Sequence, residues 1–571
     1  MADHDASVTS TGSVLARTTA TEVVPGSNLR QSAAGGCLVY VLPGLNLGRI
    51  GLAGGSRPAT VEMLARHGEI VDLWMGGGRP IDLLWLGEDP TALSPADPRL
   101  AGMTAHLAPG GRVVGEVRRF GSGRAVSRLG DDLAAAGLVI EHLVWMRPGS
   151  GPARTIVPAG DDAAIRFLMD RGLAAPLVRV RAKNRLPALA DLERRLAASP
   201  SGNRFSLRIG FIARRQSDAP NRIRLAEGAA PSVDRGPAPR WLLEAMADGG
   251  LDIGDHRWAF SAPGEYASQK VIWYLFAPDA AAPDLVLKMT RDPGFNNRLE
   301  NEVETLRRLE GVDLGPNVQV PRASTLRYSA GLAIAVESSV EGDPFAARAS
   351  LEPDDPALAI AVDGLTRLGA ATKAPASATG LRDALTVNLD RCNRLYELTS
   401  RERAFLAARI ERVVDLGCPT VLMHGDPGTW NLLLTPDSRL GILDWEAAES
   451  DGLPLWDLFH LLRSYATLAT SNWLPQRSLR LARRQLVDGS TLTVTFAAAV
   501  AAYREALGLR AEIVEPLYHL GWVHRAVKEA SRLTPDRLSR GHYVRLLRSG
   551  MSEGATGGLD LLVGGGERRA G

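Results

Sequence analysis

Three side chains around residue 430 have the types and the spacing that phosphoryl transfer needs. Asp426 lies in His424-Gly425-Asp426-Pro427-Gly428-Thr429-Trp430-Asn431, Asn431 follows five positions later, and Asp444 stands thirteen beyond that, in Leu443-Asp444-Trp445-Glu446. A carboxylate in the first position can meet and orient an acceptor hydroxyl. An amide oxygen and a second carboxylate suit Mg²⁺, which takes few protein ligands and completes its shell with water and phosphate. These residue types suit phosphoryl transfer, with Asp426 as the candidate catalytic residue and Asn431 and Asp444 as candidate metal ligands. The competing reading is a tight turn with Asp444 as a helix cap.

Short apolar runs frame these residues and argue for the site. Val421-Leu422-Met423, Leu432-Leu433-Leu434 and Gly441-Ile442-Leu443 read as strands whose polar ends project into one cleft. Upstream, Asp284 to Met289 is an apolar strand carrying Lys288, in a chain with only five lysines (Lys183, Lys270, Lys288, Lys373 and Lys528). The spacing predicts a helix over 297–309. It places Glu302 on a face with Leu306 and Leu309, as a candidate partner for Lys288, although Glu300 and Glu304 are neighbours. Beyond the motif, Glu446, Glu449 and Asp451 form an acidic cluster that fits either a cationic acceptor or a solvated loop. Helices are expected at Leu492 to Ala506 and Ala511 to Leu533. Their His519, Trp522 and His524 read as packed core or as part of an acceptor side.

His424-Gly425-Asp426-x4-Asn431, followed by an apolar strand ending in Asp444-Trp445, resembles the aminoglycoside phosphotransferase and choline kinase-like superfamily over residues 238–550. The resemblance implies a two-lobed protein kinase-like fold and a small-molecule acceptor, such as an amino sugar, a sugar, a choline-like amine or an antibiotic. It implies that Lys288, braced by Glu302, contacts the nucleotide phosphates. The loop 261–268, with Ser268, would cover those phosphates, and a hinge at 337–339, with Glu337 and Ser339, would meet adenine. His424 would brace the loop, and Asp457, in Pro454-x-x-Asp457, would support it from a helix start. Glu446 matches the place where the choline kinase-like branch carries a second Mg²⁺ contact. The Gly-x-Gly-x-x-Gly pattern of protein kinases is absent, which favours the small-molecule branch. Two other readings are a non-catalytic nucleotide-binding scaffold and a bifunctional enzyme that also transfers methyl groups.

The second reading comes from the N-terminal region, where strands and helices alternate: strand 49–53, helix 58–67, strands 69–74 and 81–86, helix 98–107, strand 112–117, helix 125–136 and strand 138–145. Such alternation predicts a Rossmann-like parallel sheet with helices on both faces. With Pro109-Gly110-Gly111 before a strand, it resembles a class I methyltransferase over 40–160, and S-adenosylmethionine is the cofactor that resemblance implies. The counterpart of the family's first-strand loop, Ile50-Gly51-Leu52-Ala53-Gly54-Gly55, lacks the acid and displaces the glycines. That marks a degenerate domain. Asp72 is the candidate ribose acid.

The expected organisation is a disordered leader (1–35), a Rossmann-like domain (36–200), a Pro- and Gly-rich bridge (201–237), the kinase-like domain (238–550) and a disordered tail (551–571). In 571 residues, 66 Lys and Arg face 64 Asp and Glu, a net charge of +2 that argues against a nucleic-acid partner. Three scattered cysteines give neither a disulfide framework nor a zinc spacing. The leader has no apolar core and the apolar run 494–502 is too short to insert in a membrane, so a cytoplasmic location is expected.

Overall fold

The computed structural model describes residues 37–56, 58–71, 79–87, 94–118, 124–146, 155–159, 161–170, 208–215, 238–262, 268–469 and 491–552. The expected leader and tail lie outside these residues, apart from the last two positions of the helix that ends at Ser552. Asp72 and most of the loop 261–268 also lie outside them. The chain forms two compact units, one from Arg30–Glu300 with Ala323–Ser339, the other chiefly from Asn301–Arg322 with Val340–Gly571.

The first unit is built on one sheet. Its strands are β1 (Gly48–Leu52), β2 (Gly68–Val71), β3 (Ile81–Trp85), β4 (Leu107–Arg118), β5 (Leu138–Met146), β6 (Thr155–Pro158), β7 (Arg208–Arg215), β8 (Arg257–Ser261), β9 (Val271–Phe276), β10 (Leu285–Met289), β12 (Ala323–Ser329) and β13 (Leu332–Ser338). They lie in the order β12-β13-β10-β9-β8-β6-β5-β7-β4-β3-β1-β2. Helices α1 (Pro58–His67), α2 (Arg99–Thr104), α3 (Arg124–Ala135), α4 (Asp162–Asp170) and α5 (Arg240–Ala247) accompany it.

Two expectations change. The alternating pattern predicted a parallel sheet, but only β2-β1-β3-β4 pair in parallel. The cause is β7, which inserts antiparallel between β4 and β5. That strand also lies inside the expected bridge 201–237, where the Pro and Gly residues flanking it on one side obscured the apolar run Ile209 to Ala213. Its fit is close: Phe211 pairs with Gly115, and a Cβ on Gly115 would stand 2.8 Å from the Phe211 ring.

The sheet does not stop where the second expected domain begins. β6 pairs with β8, so strands from the N-terminal region and from the lysine-bearing hairpins share one ladder. They also share a core. Tyr40 stacks on Phe260, and Trp258, Phe260 and Trp241 ring Trp273, which is fully buried. Trp241 donates its indole N–H to the Tyr40 carbonyl at 3.2 Å.

The second unit holds β11 (Val318–Gln319), β14 (Asp343–Pro344), β16 (Leu432–Leu434) and β17 (Leu440–Ile442) in the order β11-β17-β16-β14. Beside them is the pair β15 (Val421–Met423) and β18 (Glu449–Gly452). Its helices are α7 (Phe345–Arg348), α8 (Pro356–Thr372), α9 (Ala378–Tyr396), α10 (Ser400–Asp415), α11 (Trp456–Ala469), α12 (Thr491–Ala506), α13 (Val514–Ala530) and α14 (His542–Ser552), while α6 (Asn296–Leu309) runs across the division of the chain. Sequence-local signals set their starts. Asp355 caps α8 ahead of Pro356, Ser377 caps α9, and Thr399 with Glu402 forms a reciprocal capping box on α10. Among the described residues no single helix is long and apolar enough to cross a membrane.

Because Trp273 joins aromatic groups from both ends of the sheet's shared core, Trp273→Ala is expected to cost about 3–5 kcal/mol. Denaturant unfolding of the full chain checks this, and a loss below about 1 kcal/mol would show that the rings do not form one core.

Candidate active site

The loop after β15 is fixed from below by one carboxylate. Asp457, in the first turn of α11, accepts the His424 N–H at 2.6 Å and the Gly425 N–H at 3.1 Å. Burial pushes its pKa above the ordinary value, and His424 and the two N–H groups pull the other way. Gly425 is required where it stands. Its φ is +79°, and a Cβ there would lie 2.0 Å from the Ala447 carbonyl oxygen. The His424 ring, fully buried against Trp445, contacts the Leu443 carbonyl through Nε2 at 2.8 Å.

Those contacts place the three residues of the motif together. Asn431 donates its side-chain N–H to the Asp426 carbonyl at 2.9 Å, which orients its Oδ1 away from that bond. The Leu443 N–H donates to the Asn431 carbonyl at 2.9 Å and ties the strand before Asp444 to the end of the loop. Asp444 adopts a left-handed conformation at φ +71°, a costly backbone for a non-glycine residue that its surroundings impose. The competing helix-cap reading fails on geometry, since Asp444 makes no side-chain cap bond to the turn that follows.

Asp426 is held by residues the motif does not contain. His460 Nε2, from α11, is 3.0 Å from Asp426 Oδ1, and Arg525 Nη2, from α13, is 3.1 Å from the same oxygen. Arg525 also donates to the Gly425 carbonyl at 2.6 Å and to the Tyr543 hydroxyl at 3.2 Å. Burial pushes the Asp426 carboxyl up, but the His460 contact and the Arg525 charge outweigh it, and the group sits well below the usual carboxylate range. His460 is fully enclosed, and burial with the nearby Arg525 drives its pKa down to about 3. Sequence reasoning missed His460, Arg525 and Tyr543. No local pattern marks them; they come from three helices and meet the loop only in the fold.

In the first unit, Lys288 lies on β10 between β9 and β13 and is 5% exposed, so it is no solvent-facing edge residue. Its ammonium pairs with the buried Glu337 carboxylate at 2.7 Å. Glu337, expected in the hinge, thus contributes a side chain to the lysine. Ser339 departs from expectation: its N–H is taken by the Asp284 carbonyl at 2.8 Å, so it does not stand ready to donate to adenine. Ser268 is buried next to residues outside the described set. Glu302 belongs to the second unit, is fully buried, and accepts the Trp445 N–H at 3.1 Å, which fixes the backbone just after Asp444.

Within the acidic cluster Glu449 is not solvated, while Glu446 and Asp451 are half-buried. Glu449 is buried, 2.9 Å from His524 and paired with Lys528. His519 is buried and pairs with Glu515 at 3.2 Å, in line with the packed-core reading.

Residues 273–489, less than half of the chain, match the phosphotransferase enzyme family known as APH. That segment contains Lys288, Glu302, Asp426, Asn431, Asp444 and Asp457, and with it the chain carries a domain of a phosphotransferase enzyme. Among solved structures, the aminoglycoside phosphotransferase APH(3'')-Id of Streptomyces rimosus is 18% identical, with 51% of this chain and 97% of that one covered and a TM-score of 0.31. The macrolide 2'-phosphotransferase MphH of Brachybacterium faecium is 20% identical over 53% and 96% of the two chains, with a TM-score of 0.33. The ethanolamine kinase of Plasmodium vivax is 11% identical over 51% and 82%, with a TM-score of 0.34. No curated protein matches the chain.

Two outcomes follow from the loop geometry. Gly425→Ala is expected to abolish turnover and to lower stability by more than about 2 kcal/mol, through both its φ and the contact with Ala447; near-native activity would contradict the close approach. His460 and His542 are both pushed to about 3 in the fold, from an ordinary value of 6.5, chiefly by burial. The unfolded chain therefore binds protons that the folded chain refuses, and stability falls as pH drops from about 6.5 toward 3. NMR should show neither ring titrating between pH 7.5 and 5; a midpoint near 6.5 for either would sink this assignment.

Proposed function

We propose that the protein transfers the γ-phosphoryl group of ATP to a hydroxyl of a small molecule. The observation that supports this most is the arrangement of Asp426, Asn431 and Asp444 on one braced loop and the strand beside it. In this reading Asp426 Oδ1 is fixed by His460 and Arg525, and the carboxylate orients the acceptor hydroxyl toward the phosphorus. Its depressed pKa makes it a weak base. It serves as an orienting acceptor and takes the proton late, which suits a loose transition state that asks little of a base.

Asn431 and Asp444 fit Mg²⁺: the Asn431 side-chain nitrogen is bound to the loop, its oxygen is left as a ligand, and two protein oxygens are what such an ion uses. When bound there, it would neutralise charge on the phosphate oxygens. We assign nucleotide binding to the unit carrying Lys288 and Glu337, and acceptor binding to helices α11, α13 and α14 around Asp426. Trp430, 57% exposed and edge-on to His460, offers a ring on the acceptor side.

For residues 36–200 we infer a structural role, supported by the ladder that β6 and β8 share. S-adenosylmethionine does not fit well. After β1 the acid is replaced by Ala53, whose N–H is bound to the Trp85 carbonyl at 2.8 Å, and no methyl-transfer step is assigned.

The test is nucleotide turnover by the full chain with Mg²⁺ over amino sugars, sugars, choline and small hydroxy acids. Asp426→Asn and Asp444→Asn should each lower kcat by at least about 100-fold. Turnover preserved in both variants would move the chemistry elsewhere.

A further inference from the structure

Resting on the phosphotransferase reading, the acceptor's class can be narrowed by one buried charge. Arg463 lies on α11 one turn after His460 and is 9% exposed. Its guanidinium stands over the Tyr543 ring at 5.2 Å, and its Nη1 is 3.1 Å from His542 Nε2. Its Nε is buried without a partner, and among the described residues no carboxylate forms an ion pair with it. His542 supplies no negative charge. The carboxylate in the same region, Glu529, is turned to the backbone, accepting the N–H groups of His542 and Tyr543 at 3.1 and 3.0 Å. Glu529 acts on Arg463 through space, but no carboxylate is bonded to it, and a guanidinium taken out of water without a direct ion pair is costly.

Arg463 is also connected to the reacting end of the site. The Tyr543 ring has two guanidiniums near it: Arg463, and at 5.1 Å Arg525, which binds Asp426. The surrounding sequence has the same sign. From Trp456 to Ser552 there are fourteen Lys and Arg against seven Asp and Glu, an excess of seven in a chain whose total excess is +2. Glu449, a candidate to attract a cationic acceptor, is already paired with the Lys528 ammonium and with His524 Nε2.

We propose that the acceptor carries an anionic group, a carboxylate or phosphate, beside the hydroxyl that Asp426 meets, and that Arg463 is the counter-ion for that group. Guanidinium geometry suits both oxyanions through paired N–H donors.

Two measurements on the full chain test this. In the presence of saturating ADP and Mg²⁺, which occupy the nucleotide's phosphate positions, sulfate should raise Tm above chloride at matched ionic strength. Arg463→Gln should remove that rise. Arg463→Lys, which keeps the charge and loses the fork, should weaken sulfate binding severalfold and serves if the Gln variant does not fold. No rise in the native protein, or an unchanged sulfate response in the folded variants, would overturn the proposal. The second arm compares glycerol, choline, glycerate and glycerol phosphate as acceptors. At least one of the two anionic compounds should exceed glycerol and choline by about tenfold or more in kcat/KM. Preference for choline would overturn the anionic class while leaving phosphoryl transfer intact. Failure of ADP with Mg²⁺ to bind would instead strike the phosphotransferase reading itself.

Discussion

The Asp457 carboxylate, set against the backbone of His424 and Gly425, is the contact on which the geometry of the loop carrying Asp426 depends. It is half-buried, and the loss of water around it outweighs its two N–H bonds, so its pKa is raised. A carboxylate whose folded pKa is raised contributes no stability at neutral pH through its charge. What it provides is position. With both N–H groups held, Gly425 is kept in its left-handed turn, the His424 ring reaches Leu443, and the backbone delivers Asp426 and Asn431 to one side. The same logic recurs at Glu302, whose carboxylate holds the Trp445 N–H and so the residue after Asp444. Acids on helices, each bound to the backbone of a loop, are how this unit makes a short irregular segment rigid.

The site's electrostatics follow from a second layer. Asp426 is half-buried, and the water it has lost disfavours its charged form. His460 and Arg525 resolve this, and the result is a carboxylate stabilised well below its ordinary pKa. Such a group orients better than it abstracts, which agrees with a reaction driven by positioning and charge neutralisation. Arg525 is tied in turn to the Tyr543 hydroxyl, so α14 bears on the loop that carries Asp426 although it lies more than a hundred residues beyond it.

What the sequence displayed and what it hid divide along one physical line. Asp426, Asn431, Asp444, Lys288 and Asp457 were legible because short apolar strands and fixed spacings place them, and local order is written in local sequence. Pro58 to His67 and the helix ending at Leu309 were legible through periodicity for the same reason. Long-range pairing was not. Nothing near residue 210 announces that Ile209 to Ala213 would slip between β4 and β5. The partner of Lys288 on the neighbouring strand, Glu337, was read only as part of a hinge. His460, Arg525 and Tyr543 were hidden for this reason, each being ordinary on its own helix.

The N-terminal region shows what such non-local pairing can do to function. A parallel α/β sheet offers a ligand crevice at the carboxyl ends of its strands where the strand order reverses, here between β1 and β3. At that point the chain has Ala53 where a binding acid would be expected, with its N–H closed onto Trp85. The opposite direction of the same sheet is where the sequence invests its largest side chains: Tyr40, Trp241, Trp258, Phe260 and Trp273 pack into one core with the strands beside Lys288. Burial of large aromatic surface dominates packing energy, so the ladder from β6 to β8 is a strong junction within that unit. In that unit the N-terminal strands extend the sheet that carries Lys288.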